Sequence, residues 1–337
     1  METLRSPRFW FGILISAVTL WLAFRTVPFA TLGETLARAN FLWILPAIVI
    51  QFLAVWSRAQ RWNLLLGMKA GVATTYWGHS IGFLFTNVLP FRMGEPARIV
   101  VVSGKTGIPV IEVTASVLVE RVLDVATVVL GLVLVLPFMQ VPELVSKAGL
   151  TLGVIVVGAL VCLWLVVRFR EQSDRLVAWI LSRLKFLPAA ALQARWSELV
   201  QGLAPITRPA LAAQALFWSI VSWIFSTAIY YCVMQAYQPL ATPMEALFMV
   251  VTLAFAVTVP SSPGFIGVFQ YVGQQALVLP FGAKYSDSTA LAITMVSYII
   301  YYFFTTGLGL AGLWRMGESF SNLGKLISSK RKTVEGD

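Results

Sequence analysis

The chain has 337 residues, of which 58% are hydrophobic and 12% charged, with a formal net charge of +10. Soluble domains run at about 45–50% apolar and about 25% charged residues, so this composition excludes an ordinary water-soluble domain. The positive charge gathers at Arg5 and Arg8, at Arg58, Arg61 and Lys69, between Arg168 and Arg208, and from Arg315 to Lys332. Lys and Arg collect in short cytoplasmic loops of membrane proteins; a nucleic-acid binder would carry its basic patch on a soluble module.

A membrane-crossing helix needs roughly 20 predominantly apolar residues. Residues 9–24, 41–57, 113–137, 148–167, 211–236 and 289–314 meet that test, and predict about six spanning helices in an all-α polytopic membrane fold forming one transmembrane domain over 1–337. The first span follows basic residues as in a secretory signal. After Leu22, however, Phe24-Arg25-Thr26 is a poor cleavage site, so it is expected to be retained. With basic loops cytoplasmic, both termini are inside, residues 25–40 outside and residues 58–75 inside. The stretch 76–109 then starts and ends inside, so it predicts a re-entrant hairpin broken at Leu89-Pro90-Phe91-Arg92-Met93-Gly94. This completes a first half, about 1–168. Residues 169–210 form a cytoplasmic amphipathic loop, with Leu176, Ile180 and Leu184 recurring every four residues on a helix at the membrane surface.

The second half, about 211–314, poses the same problem from the other face. Its stretch 244–283 starts and ends outside, and is broken at Pro260-Ser261-Ser262-Pro263-Gly264. Two Pro/Gly-broken segments at matching places in two halves point to an inverted-repeat transporter. The tail 315–337 is basic and cytoplasmic. Its Lys330-Arg331-Lys332 run either contacts anionic lipid or marks topology.

Three segments carry candidate chemistry. In the first, Asn87 to Arg98, Pro90 stops a helix, Gly94 permits unusual backbone, and Pro96 suits a first helical turn. Glu95 and Arg98 share a face at three-residue spacing. Guanidinium forks match phosphate oxygens, so Arg92 and Arg98 read as a headgroup pocket or as anchors of a cytoplasmic loop. In the second, Glu120, Arg121 and Asp124 stand inside the 113–137 span. Charges at that depth must face the bundle and pair. They either lock a helix in place or neutralise the arginine pocket in its empty state. In the third, Ser261 or Ser262 is expected to cap a helix starting at Pro263. That would aim a helix N-terminus inward as an anion site, with Gly264 and Gly267 allowing close approach and Gln270 following. Cys162 and Cys232 fall in apolar spans and read as packing residues; His79 is the only histidine, so no His cluster can bind metal.

These three motifs, in this order, resemble the flippase-like membrane region of the lysylphosphatidylglycerol synthase family. Asn87 to Arg98 matches an N-x-x-L-P-x-R-x-G-E-x-x-R-like stretch, Glu120-Arg121-Val122-Leu123-Asp124 an E-R-x-x-D motif, and Pro260 to Gln270 a P-x-x-P-G-x-x-G-x-x-E-like stretch. The last position is often Glu and here is Gln270, which removes a titrating carboxylate and keeps a hydrogen-bonding group. Full-length synthases carry a soluble aminoacyl-transfer domain. The sequence stops soon after its last span, so the resemblance implies the lipid-translocating part alone.

The resulting expectation is a lipid translocase of the bacterial inner membrane, moving an anionic, phosphate-bearing polar lipid or glycolipid between leaflets. The substrate-binding residues would be Asn87, Arg92, Glu95, Arg98, Glu120, Arg121, Asp124, Ser261, Ser262, Gly264, Gly267 and Gln270. No nucleotide-binding G-x-x-x-x-G-K-[ST] run is present. No cofactor, metal, nucleotide or nucleic acid is expected, and the partners would be the lipid and either a second copy or a lipid-synthesis enzyme. The alternatives are a membrane-embedded enzyme acting on lipid-linked phosphate or sugar, and a non-transporting scaffold in lipid synthesis.

Overall fold

The computed structural model describes residues 7–89, 93–138, 143–183, 188–258 and 262–319. Among them are thirteen α-helices and no strand: α1 (Pro7–Phe24), α2 (Phe29–Ala37), α3 (Ile44–Leu65), α4 (Val72–Val88), α5 (Gly94–Thr106), α6 (Val110–Val135), α7 (Glu143–Arg168), α8 (Arg170–Arg183), α9 (Ala189–Leu203), α10 (Pro209–Tyr237), α11 (Pro243–Ala256), α12 (Val268–Phe281) and α13 (Asp287–Arg315). Five stretches are long and apolar enough to cross a membrane: Phe41–Leu65, Val110–Phe138, Gly149–Arg168, Pro209–Tyr237 and Asp287–Arg315. The pair α1 and α2, bent 78° at their junction, makes a sixth when taken as one span. Leucine, valine and phenylalanine side chains such as Val154 and Phe303 lie exposed on these helices, as a hydrocarbon solvent requires. The protein is an all-α, multi-pass membrane protein.

Helix α3 runs eight residues past the expected span end at Ser57. No breaker interrupts Arg58 to Leu65, and the helix stops only where Gly67 and Met68 both take positive φ of 64°. Arg58 and Arg61 are therefore not part of a cytoplasmic loop, and Arg61 is buried among helices. The expected amphipathic loop at 169–210 is two helices. Leu176 and Ile180 are exposed on α8, while Leu184 lies outside the described residues. The end of α9 is docked on α6, where Gly202 lies against the backbone carbonyl of Glu112.

Both broken segments are helical hairpins. α4 packs along α5, and α11 along α12. Leu89 closes α4 in an extended conformation (φ −101°, ψ 146°), as a residue before proline prefers. Gly82 and Gly94 bring the two arms into backbone contact: a Cβ on Gly94 would stand 2.1 Å from the Gly82 carbonyl oxygen.

The packing repeats. Helices α3 to α6 correspond in order to α10 to α13. α4 packs on α13 as α11 packs on α6, α3 meets α6 as α10 meets α13, and the equivalent helices α3 and α10 pack on each other. α3 and α10 are antiparallel: Asn40 meets Ala236, Trp43 meets Tyr231, Arg58 meets Ser226 and Arg61 meets Ser219. Antiparallel equivalents are what an inverted repeat produces. Each half also clamps the segment around its hairpin with a Lys–Glu pair. Lys69, before α4, pairs with Glu112 of α6; Glu245 of α11 pairs with Lys284, before α13, at 2.7 Å. The two charges are exchanged between halves. Glu245 also accepts from Tyr285 Oη at 2.6 Å, and burial together with this carboxylate pushes the Tyr285 phenol above its ordinary pKa.

Small residues let α13 approach α4. Gly309 lies against the Ser80 carbonyl and Leu84, and Gly312 against Trp77 and Ile81, the close packing that holds membrane helices together without a hydrophobic driving force. A leucine at Gly309 would force the pair apart, whereas Gly307 on the same helix has nothing within 4 Å of an added Cβ. In thermal unfolding of detergent-solubilised protein, Gly309→Leu is expected to lose about 1–3 kcal/mol and Gly307→Leu to unfold like wild type.

Candidate functional site

The centre of the site is Glu120, a carboxylate on α6 that is 1% exposed. Arg98 Nη1 of α5 reaches it at 2.9 Å, Arg61 Nη2 of α3 at 3.2 Å and Arg121 Nη2 at 2.9 Å. Asp124, one turn along α6, takes Arg61 at 2.6 Å and Arg121 at 3.2 Å. Arg121 then reaches Glu95 of α5 at 3.1 Å. Burial decides the roles. Arg61 and Arg98 are 1% and 3% exposed, and Arg98 stacks over Trp62 at 4.7 Å and lies 3.2 Å from the His79 ring nitrogens. Arg121 and Glu95 are 47% and 44% exposed. The network thus has a locked interior and an open edge. Arg98 Nη2 and Arg61 Nε are buried without hydrogen-bond partners, so neither guanidinium is saturated.

Glu95 and Arg98, expected to face one pocket together, diverge. Glu95 turns to Arg121 and Arg98 to Glu120, because α5 packs with one residue toward the bundle and the other toward its rim. Arg92 lies outside the described residues, as do Pro260 and Ser261.

The second hairpin forms a neutral surface near the first. Asn87 is buried at the end of α4 and donates to Thr305 and Thr306 Oγ1, both at 3.0 Å, and to the Tyr302 carbonyl at 3.5 Å; its Oδ1 has no partner. The turn Pro263–Phe265 packs against α4. Gly264 lies against Tyr302, and its carbonyl accepts from Tyr298 Oη at 2.9 Å. Tyr302 is thus shared between Asn87 of one hairpin and Gly264 of the other. Ser262 N–H donates to Ser16 Oγ at 3.0 Å, and Gly267 lies against the Ser16 carbonyl of α1.

The expected helix N-terminus at Pro263 is different in the structure. Pro263–Phe265 is a single 3-10 turn in which Gly264 has φ 69°, and α12 begins only at Val268. Ser262 makes no cap. Gln270 does: its side chain accepts from Gly267 N–H at 2.7 Å. Positive φ at both Gly264 and Gly267 (86°) breaks the helical path, and the N–H groups of Phe265 and Gly267 are taken up locally by the Ser262 carbonyl and the Gln270 side chain.

The region 9–309 matches the family model of the lysylphosphatidylglycerol synthase TM region. The chain belongs to this family. No curated protein and no solved structure matches it. Membership ties this membrane protein to lipid metabolism or translocation.

Within this family member the sequence-derived residues fall into two zones. Glu95, Arg98, Glu120, Arg121 and Asp124 meet in the ionic network. Asn87, Ser262, Gly264, Gly267 and Gln270 line the hairpin contact and its support on α1 and α13. Sequence reasoning missed Arg58, Arg61, Trp62 and His79 as site residues. The three-residue spacing of Arg58 and Arg61, followed by Trp62 and the leucines 64–66 without a breaker, was the available signal. Among the described residues no group of three or more His, Cys, Asp or Glu is placed to hold a metal.

Removing the central carboxylate strands buried cations, which costs about 3–5 kcal/mol, whereas an exposed pair contributes about 0–1 kcal/mol. Glu120→Ala is therefore expected to unfold far earlier than wild type in detergent melts, and Glu95→Gln to stay within about 1 kcal/mol of it. Equal losses in the two variants would contradict the division into interior and edge.

Proposed function

We propose that the protein is a lipid translocase of the bacterial inner membrane that moves a phosphate-bearing lipid between leaflets, with both termini cytoplasmic and without catalysing a reaction. The observation that carries this reading is Arg121. It is a half-exposed guanidinium at the edge of an otherwise buried network, held by carboxylates from two helices, one of them on a broken hairpin. A phosphate presents the same oxygen geometry as Glu95 and would compete with it for Arg121. Losing the Glu95 contact would remove the exposed one of the two ionic links between α5 and α6 and leave the buried Arg98–Glu120 link in place, so headgroup binding would loosen only the rim of the first hairpin against the bundle. The two hairpins share Tyr302, so movement of one is felt by the other. Antiparallel repeats meeting at such a contact suit the rocking of one half against the other. Arg61 and Arg98, locked by Glu120 and Asp124, would hold the frame. The acyl chains would stay in lipid.

Each carboxylate of the network is engaged by arginine rather than offered to a substrate. This weighs against an embedded enzyme acting on lipid-linked phosphate or sugar.

The test is headgroup translocation in vesicles reconstituted with purified protein, read by chemical quenching of a labelled phosphatidylglycerol in the outer leaflet. Wild type is expected to accelerate exchange between leaflets. Arg121→Gln, folded by its melting curve, is expected to slow it at least about tenfold, equivalent to about 1.4 kcal/mol. No acceleration by wild type, or unaltered rates in the variant, would overturn the proposal.

A further inference from the structure

Among the described residues four arginines stand in the network or at its edge, and three of them are matched by carboxylates. Arg61, Arg98 and Arg121 share Glu120, Asp124 and Glu95. The fourth, Arg58, has no carboxylate partner among the described residues. Its only hydrogen bond there runs from Nη2 to Ser226 Oγ at 3.0 Å, and its guanidinium stands 5.8 Å from the centre of the Phe83 ring. Asp124 acts on it only from beyond ion-pairing distance, and is already held by Arg61 and Arg121.

Two phenols face the same spot. Tyr301 packs edge-on against Phe83 at 6.3 Å, and Tyr230 stacks on Phe269 of the second hairpin at 6.5 Å. Tyr301 shares the Phe83 ring with Arg58, and Tyr230 stands one turn along α10 from Ser226, which holds Arg58. Neither hydroxyl makes a hydrogen bond among the described residues. The groups come from α3, α10 and α13 and are only partly buried. An unpaired cation in a membrane interior is expensive unless it meets an anion, and Ser226 supplies no charge.

We propose that Arg58, Tyr230 and Tyr301 form an anion-binding site for a singly charged phosphate diester, the linkage of a phospholipid headgroup. Among the described residues four guanidinium groups stand against three carboxylates, an excess of one positive charge, and a diester carries one negative charge. The two phenols add neutral donors without over-compensating it. The site stands where the equivalent helices α3 and α10 cross, between Phe83 of the first hairpin and Phe269 of the second. It rests on the translocase reading only for the source of its ligand.

The test is equilibrium binding, read as thermal stabilisation of the purified full chain in maltoside micelles titrated with short-chain phosphatidylglycerol, diacylglycerol or inorganic phosphate. Phosphatidylglycerol is expected to stabilise wild type and diacylglycerol not to. Arg58→Gln and the near-isosteric Tyr230→Phe/Tyr301→Phe double variant are each expected to weaken the lipid midpoint at least tenfold. The double variant guards against misfolding of Arg58→Gln, since it leaves the charge balance and the ring packing intact. Wild-type midpoints in both variants would overturn the site. Equal Arg58-dependent stabilisation by inorganic phosphate would overturn the lipid diester as its ligand. Arg58-dependent binding by a protein that moves no lipid would uphold the site and sink the translocase reading alone.

Discussion

The structure depends on the compensation of charge at Glu120. Charged groups in a membrane interior persist only when they are paired or face water. Here one carboxylate of α6 takes guanidinium groups from α3, α5 and α6 itself. That requirement fixes how three helices stand relative to one another, places the first hairpin against α6, and buries Arg61 and Arg98 while leaving Arg121 at the rim. A buried ionic cluster is weak grounds for stability compared with an apolar core. Its presence here is better understood as a device that holds several helices in one register around a buried interior with one exposed edge.

The two halves share a packing plan and divide the chemistry. The first half carries the arginines, the carboxylates and His79. The second contributes tyrosines, threonines, glycines and the Gln270 cap. Joining charged and hydroxyl-bearing surfaces at α3, α10 and α13 supplies donors of graded strength along one region. The Lys–Glu clamps, Lys69 with Glu112 and Glu245 with Lys284, lie at the ends of the halves and tie each hairpin to its neighbouring helix. Their charges are exchanged, so the same clamp is built with opposite polarity in the two halves.

The membrane class, most of the spans and the two helix pairs that flank the broken segments were legible in the sequence, because they rest on local signals: apolar length, Gly94, Pro263 and Gly264. Arg58 and Arg61 were misplaced for the same reason. Positive charge just after an apolar run has the signature of a cytoplasmic loop, and only partners on α6 and α10, distant in sequence, reveal that both sit inside the bundle. The start of α12 was misplaced because a Ser-Pro pair signals a helix as well as a turn. The positive φ of Gly264 and Gly267, and the carbonyls of α1 and α13 around them, decide between the two.

By itself, then, the sequence determined that the chain belongs in a bilayer, which apolar stretches are interrupted, and which ionisable residues must find partners there, since hydrophobic length and proline chemistry act over a few residues. Only the tertiary structure decided which partner each charge takes, that Glu95 and Arg98 part company, and that Arg58 has no carboxylate partner among the described residues. Those outcomes depend on distances between helices that no local pattern encodes.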